Sequence, residues 1–130
     1  MSVPKQVIVM RKDLNMRKGK MIAQGSHASM KVLLDCQITT ASNGTERVYE
    51  VTEAMRDWLE GKFTKICLSV DSECELESIY QAAKTANIPC AMIVDSGATE
   101  FNGVPTKTCI AIGPDYPEVI DPITGHLKLL

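Results

Sequence analysis

An amine and a carboxylate that lie far apart in the chain have the clearest capacity for chemistry. Lys20 follows the first predicted strand, and Asp95 follows the third, in a loop that also carries Gly97 and Thr99. In open α/β sheets, ligands bind at the edge where the carboxyl ends of the strands meet. Lys20 and Asp95 are therefore expected to converge there, although 75 residues separate them. Such a pair is either part of a polar ligand site or a structural ion pair.

A line of polar side chains runs along the first predicted helix. At about 100° per residue, a stripe about 60° wide contains Lys20, Gln24, His27 and Lys31. Most of the remaining helix surface is apolar or small, which predicts a largely buried helix. Buried polar side chains need hydrogen-bonding partners, so the stripe is either functional or a solvated strip on a partly exposed helix.

Two familiar catalytic motifs are not supported. Gly19-Lys20 follows a strand, but the earlier glycine of a phosphate-binding loop is missing and Met21 stands where Ser or Thr is required. Each of the five cysteines falls where a core or cap residue is expected, which argues against a Cys–His nucleophile pair. They include no C-x-x-C pair, which indicates a reducing, cytoplasmic setting and no structural zinc.

Charge is distributed unevenly along the chain. Residues 1–31 contain seven basic side chains and one acidic one, a net charge of +6, whereas the remaining residues carry seven basic and fifteen acidic ones. A positive N-terminal third is expected for a partner that carries phosphates, and a solvated basic face is the alternative. No apolar run approaches the roughly 18 residues of a membrane span, so no membrane partner is expected.

Hydrophobic periodicity predicts alternating strands and helices. Strands are expected at 5–10, 65–70, 90–94 and 106–112, and helices at about 16–36, 48–60 and 73–86, with a helical turn near 117–120. Ser72 and Glu75 form a capping box for the third helix, and polar residues from Thr39 to Thr45 predict a loop.

This order predicts a single α/β domain over residues 1–130. The first three strands are expected to be parallel, with right-handed crossovers. The fourth follows a loop too short for a typical crossover, so we expect it to be antiparallel. The product is a small mixed sheet covered by helices.

Four segments resemble, in the same order, the motifs of a known enzyme family. The segment QVIVMRKDLNMRKGKMIAQGSHA (6–28) is similar to the opening motif of the peptidyl-tRNA hydrolases of the second type, found in archaea and eukaryotes. Residues 95–99 resemble their D-A-G-x-T loop, 108–114 their T-x-x-x-I-G-P strand, and 120–128 their I-D-x-[IV]-T-G-x-L-K ending. The resemblance covers nearly the whole chain.

The resemblance implies both a fold and a reaction. The fold is a three-layer arrangement, in which helices cover both faces of a mixed four-stranded sheet, usually as a homodimer. The reaction is hydrolysis of the ester that joins a stalled peptide to the 3′ ribose of tRNA, without a metal or other cofactor.

The resemblance also implies catalytic residues. The proposed active-site lysine, aspartate and threonine of the family match Lys20, Asp95 and Thr99, and its helix histidine matches His27. On this assignment Asp95 would orient and partly deprotonate a water, with Thr99 relaying a hydrogen bond. Lys20 would stabilise the oxyanion or the terminal phosphate. His27 is either catalytic or a buried hydrogen-bonding residue.

Substrate contacts are expected from two further groups of residues. Gln24 and Thr108 match the family's helix glutamine and strand threonine, and Thr106 stands two residues before Thr108, at the family's G-[ST] step. The phosphates of tRNA are expected to contact Arg11, Lys12, Arg17, Lys18 and Lys31. Binding through such residues falls steeply with salt.

Two departures from the family pattern bear on function. Ala98 stands where the family often has a basic residue, and the segment between Thr99 and Thr108 is one residue longer, with Pro105-Thr106 replacing a G-[ST] step. Two alternatives to the hydrolase therefore stay open. One is a non-catalytic module that binds tRNA or a protein, and the other is a deacylase for a different aminoacyl-tRNA adduct.

Overall fold

The computed structural model describes residues 2–40 and 44–130. The strands are β1 (Lys5–Arg11), β2 (Gln37–Thr40), β3 (Arg47–Tyr49), β4 (Lys65–Val70), β5 (Cys90–Asp95), β6 (Thr106–Asp115) and β7 (Lys128–Leu129). The helices are α1 (Lys18–Leu34), α2 (Glu53–Glu60), α3 (Glu73–Thr85) and α4 (Pro117–Thr124). No helix within the described residues is long and apolar enough to cross a membrane.

The main sheet is mixed and has the strand order β5-β6-β1-β4-β7. β4 is parallel to β1, β6 is antiparallel to β1, and β5 is antiparallel to β6. β1, β4 and β5 therefore run in one direction, as predicted, and the antiparallel direction of β6 is confirmed. The sheet has one strand more than predicted, because the two-residue β7 pairs with β4.

Alternating side chains of β1 separate two cores and create the three layers. Val7 and Val9 face a core that includes residues of α3 and α4. Ile8 and Met10 face the opposite core, which includes residues of α1 and α2. Because both faces of a buried strand are covered, the run from Val7 to Met10 is continuously apolar. The three-layer α/β fold predicted from the sequence is confirmed.

The region between α1 and α2 differs from the prediction. β2 and β3 pair antiparallel as a separate two-stranded sheet, so Val48 lies in a strand rather than in a helix. α2 begins at Glu53 because the Met55 N–H donates to Oγ1 of Thr52, which caps the helix (3.1 Å). The predicted loop at 39–45 overlaps β2, and its residues 41–43 lie outside the described residues.

The prediction that α1 is largely buried is wrong. Ile22 is 71% exposed and Met30 57% exposed, whereas the buried residues of the helix are Gln24, Gly25, Ala28 and Val32. α1 packs across β5, β6 and β1, so only the side of the helix that faces these strands is covered. The opposite side carries apolar side chains without packing.

A β-bulge interrupts the pairing of β5 with β6. Ile93 is opposite Cys109, but Val94 is opposite Lys107, so Thr108 is an extra residue in β6. Bulges bend a strand and redirect its side chains. β6 also continues past its predicted end, through a cis Gly113–Pro114 bond to Asp115.

Candidate active site

The N-terminal end of α1 lies beside the carboxyl end of β5. Lys20 is in the first turn of α1, and Asp95 is the last residue of β5. Lys20 Nζ lies 2.9 Å from Asp95 Oδ1, and the two side chains are 14% and 13% exposed. The convergence expected from the sheet topology is therefore present, and the pair is largely shielded from solvent.

The Lys20 ammonium has two polar partners. Nζ donates to Asp95 Oδ1 and to Thr99 Oγ1 (3.0 Å). An ammonium has three N–H donors, so one is left for another acceptor. Nζ also lies 5.7 Å from the centroid of the Phe101 ring, where the ring face attracts a cation. Phe101 was not predicted to be a site residue, although an aromatic side chain in an otherwise polar loop is a signal that could have indicated its role.

The Asp95 carboxylate accepts three hydrogen bonds. Oδ1 accepts from Lys20 Nζ and from Gln24 Nε2 (3.2 Å), and Oδ2 accepts from the Gly97 N–H (2.9 Å). The Lys20 hydrogen bond above all, with help from Gly97 and Gln24, holds the pKa of Asp95 below its ordinary value against the opposing effect of burial. Asp95 is therefore an ionised carboxylate and a weak base at neutral pH.

A glycine turn places the backbone donor beside Asp95. Gly97 has φ +82° and lies against the backbone of Val104, so a side chain at this position would collide with that backbone. The Gly103 N–H donates to the Gly97 carbonyl (2.9 Å) and closes the loop at its base. Only glycine combines this backbone conformation with so close an approach.

Gln24 connects Asp95 to β6. Its Oε1 accepts from Thr108 Oγ1 (2.5 Å), while its backbone carbonyl accepts from Cys109 Sγ (3.3 Å). Consecutive strand residues normally point to opposite faces, and the bulge explains why both of these reach α1. Gln24 is 2% exposed and Thr108 is fully buried. This burial and these bonds indicate an orienting role, in which Thr108 holds the Gln24 amide and Gln24 holds Asp95; direct contact of the two side chains with substrate stays a prediction.

Thr108→Val is expected to lower kcat for the ester hydrolysis that the family resemblance implies by about three- to tenfold, the usual effect of losing one neutral hydrogen bond. The isosteric change removes the hydroxyl donor that fixes which way the Gln24 amide points. Because Gln24 then holds Asp95 less well, the pKa of Asp95 should rise, and the acid limb of the kcat profile should move to higher pH. The measurement is kcat against pH, with Thr108→Ser as the matched control.

Thr108→Ser keeps the hydroxyl and should retain the wild-type profile. A lower melting temperature in Thr108→Val with an unchanged pH profile would contradict an orienting role.

His27 and Thr106 lie outside this hydrogen-bonded cluster. His27 is exposed, so the prediction of a buried hydrogen-bonding histidine is wrong. None of the described hydrogen bonds of Lys20 or Asp95 involves it. Thr106 Oγ1 donates to the Val104 carbonyl (2.8 Å), and Thr106 therefore shapes the base of the loop.

Two of the predicted phosphate-binding residues are already paired. Arg11 is 9% exposed; its Nε and Nη2 donate to both carboxylate oxygens of Asp13, and its Nη1 donates to the Lys107 carbonyl. Lys31 pairs with Asp35 (3.1 Å), about 17 Å along the helix from Lys20. Both residues therefore have competing partners, and their contact with phosphates stays a prediction.

The other three predicted basic residues remain available. Lys12, Arg17 and Lys18 are exposed, and none has a carboxylate within ion-pair distance among the residues that the structure describes. Arg17 is the N-cap residue of α1. We call these three residues the basic surface; it flanks the turn that carries Lys20.

The described cysteines and carboxylates do not suggest other chemistry. Burial raises the pKa of the Cys109 thiol to about 12, so the buried cysteine nearest Gln24 is not an activated nucleophile. No group of three or more His, Cys, Asp or Glu side chains suited to a metal ion occurs within residues 2–40 and 44–130.

Comparison with known proteins gives a match over almost the entire chain. A family model described as "Peptidyl-tRNA hydrolase PTH2" matches residues 4–130. A peptidyl-tRNA hydrolase of Methanocaldococcus jannaschii is 42% identical over 126 residues, covering 97% of this chain and 99% of the relative. Peptidyl-tRNA hydrolases of Methanothermobacter thermautotrophicus (43%) and Sulfurisphaera tokodaii (42%) match over the same share of this chain and 99% and 98% of their own length.

Proposed function

This chain belongs to the peptidyl-tRNA hydrolase PTH2 family, and from that premise we propose that it hydrolyses the ester between a peptide and the 3′ ribose of tRNA. The observation that carries this proposal is the cluster of Lys20, Asp95 and Thr99, which joins an ammonium, a carboxylate and a hydroxyl at one sheet edge. An ester needs only an oriented water and a stabilised oxyanion to be hydrolysed. The reaction returns tRNA from stalled translation.

Asp95 orients the attacking water. Its Oδ1 is occupied by two donors, whereas Oδ2 accepts only the Gly97 N–H and retains the capacity for another. A water held at Oδ2 has its lone pair free for the ester carbonyl. Because the pKa of Asp95 is lowered, the carboxylate takes a proton only as the water attacks. It passes this proton to the 3′ oxygen of the ribose when the tetrahedral intermediate collapses and the bond between that oxygen and the acyl carbon breaks. Thr99 relays a hydrogen bond within the same cluster.

Lys20 stabilises the oxyanion of the tetrahedral intermediate. Two of its three N–H groups are bound to Asp95 and Thr99, and the third is directed to the developing negative charge. Its position in the first turn of α1 adds the favourable field of the helix N-terminus. Its largely buried side chain strengthens this electrostatic effect relative to water.

The test is release of the peptide from N-acetylaminoacyl-tRNA beside the same tRNA with a free amine. We expect rapid cleavage of the blocked substrate alone. Cleavage of both would indicate a broader deacylase. Absence of cleavage, with tRNA binding intact, would indicate a non-catalytic binding module.

The basic surface is the proposed site for the tRNA backbone. Lys12, Arg17 and Lys18 are exposed, and they lie where β1 ends and α1 begins, next to Lys20. Contacts to phosphates position a nucleic acid without reading its bases. This placement would bring the 3′ end of tRNA to Asp95 irrespective of the tRNA sequence.

Replacing Lys12 and Arg17 together by glutamine is expected to weaken tRNA binding and to reduce its salt dependence. Each phosphate contact that is lost should lower the slope of log K against log salt by about one, so the double variant should lose about two. The measurement is tRNA affinity at several salt concentrations, with Lys62→Gln as control. Lys62 is exposed and lies just before the first residue of β4, whereas the basic surface follows the last residue of β1. Because β1 and β4 are parallel, Lys62 lies at the opposite edge of the sheet from the basic surface. An unchanged slope in the double variant would contradict this site.

A homodimer is proposed through the unpacked side of α1. Exposed apolar side chains of Ile22, Met30, Leu59, Phe63 and Leu130 line one groove between α1, α2 and β4. A continuous apolar surface of this kind is typical of a protein interface. A second copy is the occupant proposed because the family resemblance implies a homodimer.

Ile22→Glu is expected to convert the dimer into a monomer, since a charge would be buried against the partner. The measurement is the mass in solution by sedimentation equilibrium over a range of concentrations. Val119→Glu is the matched control, because Val119 is an exposed apolar residue (39%) of α4, in the layer on the other face of the sheet. If Val119→Glu dissociated the protein and Ile22→Glu did not, the interface would lie elsewhere.

The proposed location of this reaction is the cytoplasm. All five cysteines are free thiols, as in proteins of reducing compartments. Translation supplies the substrate in the same compartment.

A further inference from the structure

β5 is an edge strand that ends at Asp95. It pairs with β6 on one side, and no strand of residues 2–40 and 44–130 pairs with its other side. The other edge of the sheet is β7, which has only two residues and carries Lys128. Short strands and lysines are common protections of sheet edges, whereas a longer free edge is a template for another extended chain.

The ladder geometry identifies the backbone groups that face the free edge. The Gly113 N–H donates to the Pro89 carbonyl (2.7 Å), so these opposed residues are a hydrogen-bonded pair. In an antiparallel ladder such pairs alternate with pairs that are not bonded to each other. The N–H and C=O groups of Cys90 and Met92 therefore point away from β6. They are about 7 Å apart along the edge.

The sequence of β5 leaves this edge unprotected. Its residues Cys-Ala-Met-Ile-Val precede Asp95 and include neither lysine nor proline. Val94, directly before Asp95, is 55% exposed. A free edge with these properties leads along the strand to the carboxylate of the candidate active site.

We propose that the free edge of β5 binds the peptide part of the substrate as an added, parallel strand; this inference rests on the proposed hydrolysis of peptidyl-tRNA. The carboxyl end of the peptide is esterified to tRNA and must reach Asp95. The peptide then extends back toward Cys90, in the same direction as β5. Pairing through the backbone recognises a peptide without regard to its side chains, which suits a substrate whose peptide sequence varies.

The same pairing discriminates between acylated tRNAs. A peptidyl ester carries amide N–H and C=O groups next to the reacting ester, and these can pair with the edge. An aminoacyl ester has a charged amine at that position and no peptide group. Selectivity for the blocked substrate thus arises from the first backbone hydrogen bonds on the edge.

The test on the substrate side uses peptidyl-tRNAs of increasing length with the same C-terminal residue. kcat/KM should rise from one residue to about four, where the paired stretch of β5 is used up. Replacing single amides of the peptide by esters removes one N–H at a time. The N–H groups of alternate peptide residues face β5, and replacing any one of these should lower kcat/KM about two- to tenfold. Replacing an N–H group of the residues between them should have little effect.

The test on the protein side compares Met92→Pro with Met92→Ala. Proline removes the outward N–H at an edge position, where the ladder to β6 does not use it. Alanine shortens the same side chain but keeps the N–H. Met92→Pro should lower kcat/KM for a four-residue peptidyl-tRNA about two- to tenfold relative to Met92→Ala. Both variants should hydrolyse N-acetylaminoacyl-tRNA equally.

The outcomes separate this inference from the proposed function. Failure of the wild-type protein to cleave any N-blocked substrate would overturn both. Cleavage that is independent of peptide length, and without the two-residue period, would overturn the edge-strand proposal alone. A change of oligomeric mass in Met92→Pro would assign the edge to a second copy of the chain and would also overturn it. The substrate series decides the matter even if Met92→Pro does not fold.

Discussion

Asp95→Asn is expected to lower kcat for N-acetylaminoacyl-tRNA by about two to three orders of magnitude. The amide is close in size to the carboxylate but cannot take the proton of the attacking water, and it does not hold Lys20 by charge. The measurement is single-turnover hydrolysis with saturating enzyme, which separates chemistry from binding. Binding of tRNA should remain within about twofold of wild type, since the basic surface is unchanged.

Asp121→Asn is the matched control for this substitution. Asp121 also pairs with a lysine, Lys5 (2.6 Å), at the other end of β1, and its loss should leave kcat unchanged. If Asp95→Asn lowered the melting temperature while the folded fraction kept wild-type turnover, the Lys20–Asp95 pair would be only structural.

On the proposed mechanism, the same carboxylate is expected to set the acid limit of the reaction. Because the pKa of Asp95 is lowered, the side chain is ionised at every pH well above the ordinary aspartate pKa of about 3.9. It becomes protonated only as the pH falls below that ordinary value. Its contribution to folding has the same sign: it is complete above that ordinary value and disappears as pH falls through the lowered pKa. Wild-type kcat should therefore stay level from neutral pH down to about pH 5.

Lys20→Ala is expected to lower kcat by about a hundredfold or more, the usual effect of removing an oxyanion donor. The loss should be in kcat rather than KM, because the oxyanion exists only after the water has attacked. The measurement is kcat and KM for N-acetylaminoacyl-tRNA. An increase in KM with an unchanged kcat would show that Lys20 only binds the terminal phosphate.

Lys5→Ala is the control for the loss of a buried lysine. Lys5 is 17% exposed, close to the 14% of Lys20, and each forms an ion pair with an aspartate. Its replacement should affect stability without affecting kcat. A loss below about threefold in Lys20→Ala would remove Lys20 from the mechanism.

The position of the main site residues could be predicted because it depends on local patterns and on topology. The run Val7–Met10 is apolar on both faces, and it predicts a buried strand that ends near the helix of Lys20. The direction of β5 then brings Asp95 to the same edge. Both steps follow from chain order and hydrophobic periodicity, which are read directly from the sequence.

The roles of the neighbouring residues depend on tertiary contacts and could not be predicted. Arginine is a residue type that commonly binds phosphate, but the guanidinium of Arg11 is hydrogen-bonded to Asp13 and to the Lys107 carbonyl. Thr108 reaches Gln24 only because of a bulge in β6. A bulge changes the register by one residue and leaves no distinct sequence signal. The pairing of β2 with β3 could likewise not be predicted from the sequence, since Val48 also fits the hydrophobic spacing of the helix that follows.

The closed base of the loop between β5 and β6 has a consequence for how this family can diverge. Gly97 is fixed by its contact with Val104 and by the Gly103 N–H, so the segment 98–102 is a tip outside this base. The additional residue that the family resemblance implies between Thr99 and Thr108 can be accommodated in that tip while the turn that supports Asp95 is kept. Insertions and deletions in the tip leave the turn beside Asp95 in place, but they can displace Thr99, which binds Lys20, so we expect changes of length after Thr99 rather than before it.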